Sequence, residues 1–392
     1  MTLRIPLFLL ALCVGAPALA QPSAQPAFEQ GYSAYEAGDY ASARQYWQPL
    51  AEAGHAPAQY GLGLLHANGQ IAGHDDVSAV SWLRKAAEQG EAGAQFNLGM
   101  MYANGQGVPR DYAQTAQWCA KAASQDDADG QYCMGQLYAN GDGVKQSDEQ
   151  AMQWWRKAAE QGHAKAQNRL GELYAVTEGP LRDNAQAVHW LRQAAQQGLP
   201  VAQNNLGTLY LDGQGVARDP EAAMHWFRRA AEQGDADAQY NLAVGYDFGR
   251  GVARDISQAV AWYRKAAEQG YAKAQSNLGA LYADGDGVGR DEAQAVAWWR
   301  KAAEQGHPRA RINLGVMYAE GRGVPRNLPV AYALLGTARL PEDLAGYRDR
   351  LAAQMSPAQI AQGRKLEADL MAAGSGANAI RRVDRALDAA PR

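Results

Sequence analysis

The chain has 392 residues, of which 47% are hydrophobic and 20% charged, with a formal net charge of -4. That balance suits a folded protein and excludes nucleic-acid binding by bulk positive charge. Against only 5 Phe stand 42 Gly, 10 Trp and 19 Tyr, a skew that points to copying within the chain.

Residues 1–20 read as a secretory signal peptide: Arg4, the apolar run Leu7 to Gly15, then Ala18, Leu19 and Ala20 as a small-x-small cleavage site. Cys13 falls inside that segment. Residues 21–27, with Pro22 and Pro26, form a short leader, so the mature chain is expected to start near Gln21 without a membrane span. Its expected place is outside the cytoplasm, periplasmic before secreted.

From Trp82 the chain repeats every 36 residues, through Trp118, Trp154, Trp190, Trp226, Trp262 and Trp298 to Leu334. Eight repeats follow, 56–91, 92–127, 128–163, 164–199, 200–235, 236–271, 272–307 and 308–341. In 92–127, Ala94, Leu98, Met101, Tyr102 and Gly105 share one face of a helix, helix A. Gly105, Gln106 and Gly107 break it, and Asp111 caps helix B from about 112 to 124. The capping column reads Asp75, Asp111, Ser147, Asp183, Asp219, Asp255, Asp291 and Asn327. A glycine inside helix A, at 63, 99, 135, 171, 207, 279 and 315 with Ala243 as the exception, predicts that helix B packs on bare backbone, with the Trp column as its main buried side chain. Each pair must stack on its neighbours, which predicts an all-α solenoid of antiparallel helix pairs.

The motif at 274–306, Ala-Gln-x-Asn-Leu-Gly-x-x-Tyr-x-x-Gly-x-Gly-Val-x-Arg-Asp followed by Ala-x-x-Trp-x-Arg-Lys-Ala-Ala-Glu-Gln-Gly, resembles the Sel1-like repeat family. The resemblance covers residues 56–341. It implies a right-handed superhelical solenoid and a protein- or peptide-binding adaptor of the bacterial envelope. Residues 28–55 resemble a shorter tetratricopeptide-like pair, and 342–373 a closing helical cap. Residues 374–392 read as a flexible tail. In the fourth repeat Val176, Thr177, Glu178, Gly179 and Pro180 replace the usual corner, where a bend is expected.

Helix A columns that lie opposite Leu98 are candidates for a binding groove. One reads Tyr60, Phe96, Tyr132, Asn168, Asn204 and Tyr240, and the other Leu64, Met100, Gln136 and Glu172. Tyr60, Leu64, Phe96, Met100 and Tyr132, continued by Gln136 and Tyr240, form the candidate site, because exposed aromatic and Met side chains suit a protein partner. The Gln column (Gln59, Gln95 and onward) and the Asn column (Asn97, Asn205 and onward) read instead as interhelix hydrogen bonds. Arg300, Lys301 and Glu304 stand for a repeated solvated face. Cys119 and Cys133 flank the turn at Asp126 and are a candidate disulfide if their columns face within about 7 Å.

No Ser-x-x-Lys, Gly-x-Ser-x-Gly, His-Glu-x-x-His or phosphate-loop motif occurs. His55, His163 and His307 share one column and His189 and His225 another, neither with a third metal ligand. The expectation is a monomeric scaffold with no cofactor and no metal. Cysteine-rich Sel1-type relatives imply a β-lactamase-like alternative, and the aromatic column a carbohydrate-binding one.

Overall fold

The computed structural model describes residues 24–176 and 182–372. The expected signal peptide, most of the leader, the departing corner after Val176 and the tail lie outside the described residues. The chain divides into two compact bodies, Met1–Gly179 and Pro180–Arg392. In the first, the helices are α1 (Ala24–Glu36), α2 (Tyr40–Glu52), α3 (Ala56–Ala67), α4 (Asp76–Glu88), α5 (Ala92–Asn104), α6 (Tyr112–Ala123), α7 (Ala128–Asn140), α8 (Asp148–Glu160) and α9 (Ala164–Val176). In the second they are α10 (Asn184–Gln196), α11 (Pro200–Asp212), α12 (Pro220–Glu232), α13 (Ala236–Phe248), α14 (Ile256–Glu268), α15 (Ala272–Asp284), α16 (Glu292–Glu304), α17 (Pro308–Glu320), α18 (Leu328–Gly336), α19 (Tyr347–Ala352) and α20 (Pro357–Ala372). Within each body, up to α19, every helix packs on the next, as a solenoid of antiparallel pairs requires.

Local chemistry sets the helix ends as the repeat foretells. Asp111 Oδ1 accepts from the backbone N–H groups of Ala113 (2.9 Å) and Gln114 (3.0 Å), and Asp75, Ser147, Asp219, Asp255, Asp291 and Asn327 cap their helices in the same way. Between the helices, Gly105 takes the left-handed conformation that ends helix A. The second corner glycine also sets how repeats meet. At Gly107 (φ 65°) an added Cβ would lie 2.2 Å from the carbonyl oxygen of Asp76, the first residue of the preceding helix B. The corner therefore rests directly on its neighbour's backbone.

The glycine inside helix A does receive helix B, but one residue later than expected. Leu83, Cys119, Trp155, Phe227, Trp299 and Leu335 fill the space over Gly63, Gly99, Gly135, Gly207, Gly279 and Gly315, where an added Cβ would come within 2.3 to 3.0 Å of them. The Trp column lies beside this one. Trp118 and Trp190 are mostly buried, while Trp82, Trp154, Trp226, Trp262 and Trp298 are half-buried. Several reach back onto the preceding pair: Trp82 packs on the cluster around Trp47, Trp154 on that around Cys119, Trp262 on that around Phe227, and Trp298 on that around Tyr263. The cause is the step of about 100° between neighbours on a helix, which points position 83 into the pair and position 82 along the seam between pairs.

The Arg-Lys face is solvated, as expected, and it also makes contacts along the array. Lys85, Lys121, Lys157, Arg229, Lys265 and Lys301 lie over the Trp rings one turn earlier, at 3.8 to 5.2 Å. Arg84, Arg192, Arg228, Arg264 and Arg300 donate to the hydroxyl of Tyr102, Tyr210, Tyr246, Tyr282 and Tyr318 in the next helix A, at 2.7 to 3.0 Å.

A third register of bonds belongs to glutamine. Gln95 Nε2 donates to the Ala87 carbonyl of the preceding repeat (3.1 Å), and its Oε1 accepts from Gln125 Nε2 (2.9 Å). The same pair of bonds recurs at Gln59, Gln203, Gln239 and Gln275, as expected for buried polar groups. At the far end α20 packs on α18, held by the Arg348–Glu367 ion pair and by Arg348 4.0 Å over the Tyr332 ring.

The two aromatic columns should separate in a melting experiment. Phe227→Ala, which empties the space over Gly207, is expected to cost about 3–5 kcal/mol, and Trp262→Ala about half as much because its ring is already partly in water. Thermal melts of the two variants followed by circular dichroism would contradict this packing if the order were reversed.

Candidate functional site

Helix A presents its remaining surface through the two candidate columns. In the first body Tyr60 does not stand free. Its hydroxyl accepts from Asn97 Nδ2 (3.1 Å) and lies where a Cβ on Gly93 would sit 2.8 Å away, so the ring roofs the seam between α3 and α5. Burial, then the nearby Glu91, Asp127 and Asp129, push its phenol well above the ordinary range. Leu64 is fully buried, which removes it from the expected exposed ladder. It points into the interior because this first helix A is apolar on nearly every side, with Gly61 through His66 all buried.

Phe96, Met100, Tyr132 and Gln136 keep part of their surface. Phe96 and Met100, one turn apart on α5, rest on the cluster formed by Cys119, Cys133, Met134 and Leu137. Tyr132 on α7 stacks on the His163 ring with centroids 4.7 Å apart. Tyr240 belongs to the second body, where it lies 5.2 Å from the Tyr271 ring and 5.9 Å from that of Tyr263. Its own phenol is raised, chiefly by burial.

Beneath Phe96, Cys119 and Cys133 are joined as a disulfide, with Cα atoms 6.1 Å apart across α6 and α7. The bond spans the turn at Asp126, whose φ of 61° is the one positive value outside glycine among the described residues. Other repeats place glycine there, as at Gly90 and Gly162. A covalent loop of this size stabilises a fold by about 3 kcal/mol, more than the 1–2 kcal/mol or so that a left-handed residue costs.

Sequence reading passed over the work of His55, His163 and His307. Each precedes a helix A and caps it: Nδ1 accepts from the backbone N–H of Ala58 (3.3 Å), Ala166 (3.1 Å) and Ala310 (3.3 Å). At His163 the other nitrogen meets Asp129 Oδ1 at 3.1 Å. The signal was present, since Asp127 and Asp235 cap in the same column. Among the described residues no group of three His, Cys, Asp or Glu is placed to hold a metal ion. No helix there is long and apolar enough to cross a membrane.

The family model described as Sel1 repeat matches nine consecutive segments, residues 27–55, 56–91, 92–127, 128–163, 164–199, 200–235, 236–271, 272–307 and 308–338. The first of these is the short pair likened above to a tetratricopeptide unit. A solved structure titled as a Sel1 repeat protein from Oxalobacter formigenes is 31% identical, with a TM-score of 0.57, over 62% of this chain and 96% of its own. A protective antigen present in uropathogenic Escherichia coli strains, displaying an SLR fold, is 32% identical over 92% of this chain and 94% of its own, with a TM-score of 0.49. No curated protein matched.

The histidine caps make stability depend on pH. Burial holds the His55 and His307 imidazoles below the ordinary value, and at His307 the Arg309 and Lys273 charges add to it. A histidine whose folded value lies below its unfolded one of about 6.5 binds more protons when unfolded, so its contribution is complete above that pH and declines as pH falls below it. The melting temperature of the wild-type chain should therefore fall more between neutral and mildly acidic pH than that of the His55→Asn, His307→Asn double variant, whose caps do not protonate. Parallel curves would show that these caps do not titrate with folding.

Proposed function

Because the chain belongs to the Sel1 repeat family, we propose that it is a non-catalytic scaffold that holds a protein or peptide segment against the helix A face of its first body, at Phe96, Met100, Tyr132 and Gln136. Sel1 solenoids are commonly protein-interaction scaffolds, and what favours this face is how the repeat spends its side chains. The Gln, Arg and Tyr columns are occupied by bonds from repeat to repeat, and the corner Gly column by close backbone contact. Phe96, Met100, Tyr132 and Gln136 retain surface and lie in columns whose chemistry changes from copy to copy. Aromatic side chains of this kind supply large contact area, and Met adapts its shape to the partner. Tyr60 and Leu64 support the face from below, and Tyr240 marks the corresponding place in the second body.

The same reading places the protein, as a monomer, outside the cytoplasm. The segment ending at Ala20 has the pattern of an export signal, and the Cys119–Cys133 pair is of a kind that persists in oxidising compartments.

Affinity capture from a cell-envelope extract tests the scaffold reading. The full chain should retain a specific protein that a Phe96→Ala, Met100→Ala, Tyr132→Ala variant, shown by circular dichroism to stay folded, does not. Equal capture by both would move the binding surface elsewhere. For the location, Cys119 and Cys133 in protein purified without reductant should resist iodoacetamide until dithiothreitol is added, and immediate labelling of both would count against an oxidising compartment.

A further inference from the structure

We propose that Asp247 in the second body anchors a basic side chain of the bound partner, so that this body selects polypeptide segments carrying Lys or Arg. The inference rests on the scaffold reading above and adds the chemistry of what is held.

Position 247 is where the chain leaves its own pattern. The same column holds Ala103, Ala139, Leu211, Ala283 and Ala319, and only here does it carry a charge. The substitution has companions. The position that fills the interior of the helix pair, Leu, Cys, Trp or Phe elsewhere, is Tyr263, and the glycine it covers elsewhere is Ala243. The Tyr263 hydroxyl donates to Asp247 Oδ2 (3.1 Å) and accepts from Asn277 Nδ2 (3.0 Å). Two donors in series are thus aimed at the carboxylate. Tyr263 is fully buried, and burial pushes its phenol far above neutrality, so its proton remains on the ring oxygen.

The carboxylate stands half-buried without a cation of its own. Arg254, the nearest candidate in the corner, spends Nε on the Asp247 backbone carbonyl (2.9 Å) and Nη2 on Asp286 (3.1 Å). No ion pair to Asp247 forms among the described residues. A carboxylate held by the Tyr263 hydroxyl and without a cation of its own can take a charge-assisted bond from an incoming ammonium or guanidinium. Tyr240, Val244 and Asp247 fall at i, i+4 and i+7, along one stripe of α13. On α15 the matching positions are the small Ala280 and Ala283. The arrangement fits an extended segment with a basic residue at Asp247 and an apolar one at Val244.

Asp247 also serves the Tyr263 hydroxyl, so the test must keep that bond while removing the charge. Asp247→Asn does so, and Asp247→Ala, the residue most other repeats carry, is the second variant should the amide disturb folding. The full wild-type chain is used to select from a phage-displayed library of randomised linear peptides, and affinities of the selected peptides are measured by fluorescence anisotropy. The expected result is a recurrent Lys or Arg in the selected peptides, with binding at least about tenfold weaker in both variants, at unchanged melting temperature in Asp247→Asn and at a lower one in Asp247→Ala, which takes the acceptor from the buried Tyr263 hydroxyl. Peptides without a recurrent basic residue, or variants that bind equally well, would overturn the anchor while leaving the scaffold reading in place. Failure of the wild type to select any peptide would overturn both.

Discussion

The close approach of helix B to helix A at the interior glycine governs the rest of this structure. A glycine in the middle of a helix costs about 1 kcal/mol of intrinsic propensity, and the repeat accepts that in nearly every copy. The return is a buried side chain seated against backbone, at distances no Cβ would allow. Once that distance is set, the neighbouring column must turn toward the seam, where Trp262 and Trp298 cover the preceding repeat. The corner glycines then bring each turn onto the backbone of the previous helix B.

Much of the fold was legible because it is written repeatedly. The 36-residue period, the caps at Asp111 and its equivalents, the left-handed corner and the glutamine bonds all follow from residue type and spacing. What sequence reading placed wrongly depended on rotation about a helix axis. The Trp column is the largest and most regular, and the sequence reads it as the main buried side chain of helix B. The structure gives that place to a column so varied, from Leu83 to Tyr263 to Trp299, that no pattern announces it. The Arg bonds were hidden for a related reason, since their Tyr partners lie 18 residues later on another repeat.

The candidate site was legible only in outline. The aromatic column could be found from its phase, but whether Tyr60 faces water depends on Gly93 and Asn97, which let the ring lie flat against the next helix. Asp247 shows the opposite case. Its departure from the Ala column is visible in the sequence, yet its meaning required Tyr263 and Asn277 to be seen bonded to it. In a protein built by copying, single departures that arrive together carry more information than the repeated residues around them.

The fixed offsets of the bonds between repeats have a consequence for how such a chain can change length. Gln125 reaches Gln95 across 30 residues, and Arg84 reaches Tyr102 across 18. Inserting or deleting one whole repeat leaves every such offset intact and adds or removes a complete set of bonds. A change of any other length inside a helix shifts donors past their acceptors and turns the side chains over glycine out toward the seam. Growth and loss by whole repeats is therefore the cheap route in evolution, because even the corners are tied to a neighbouring repeat, as Arg254 is to Asp286.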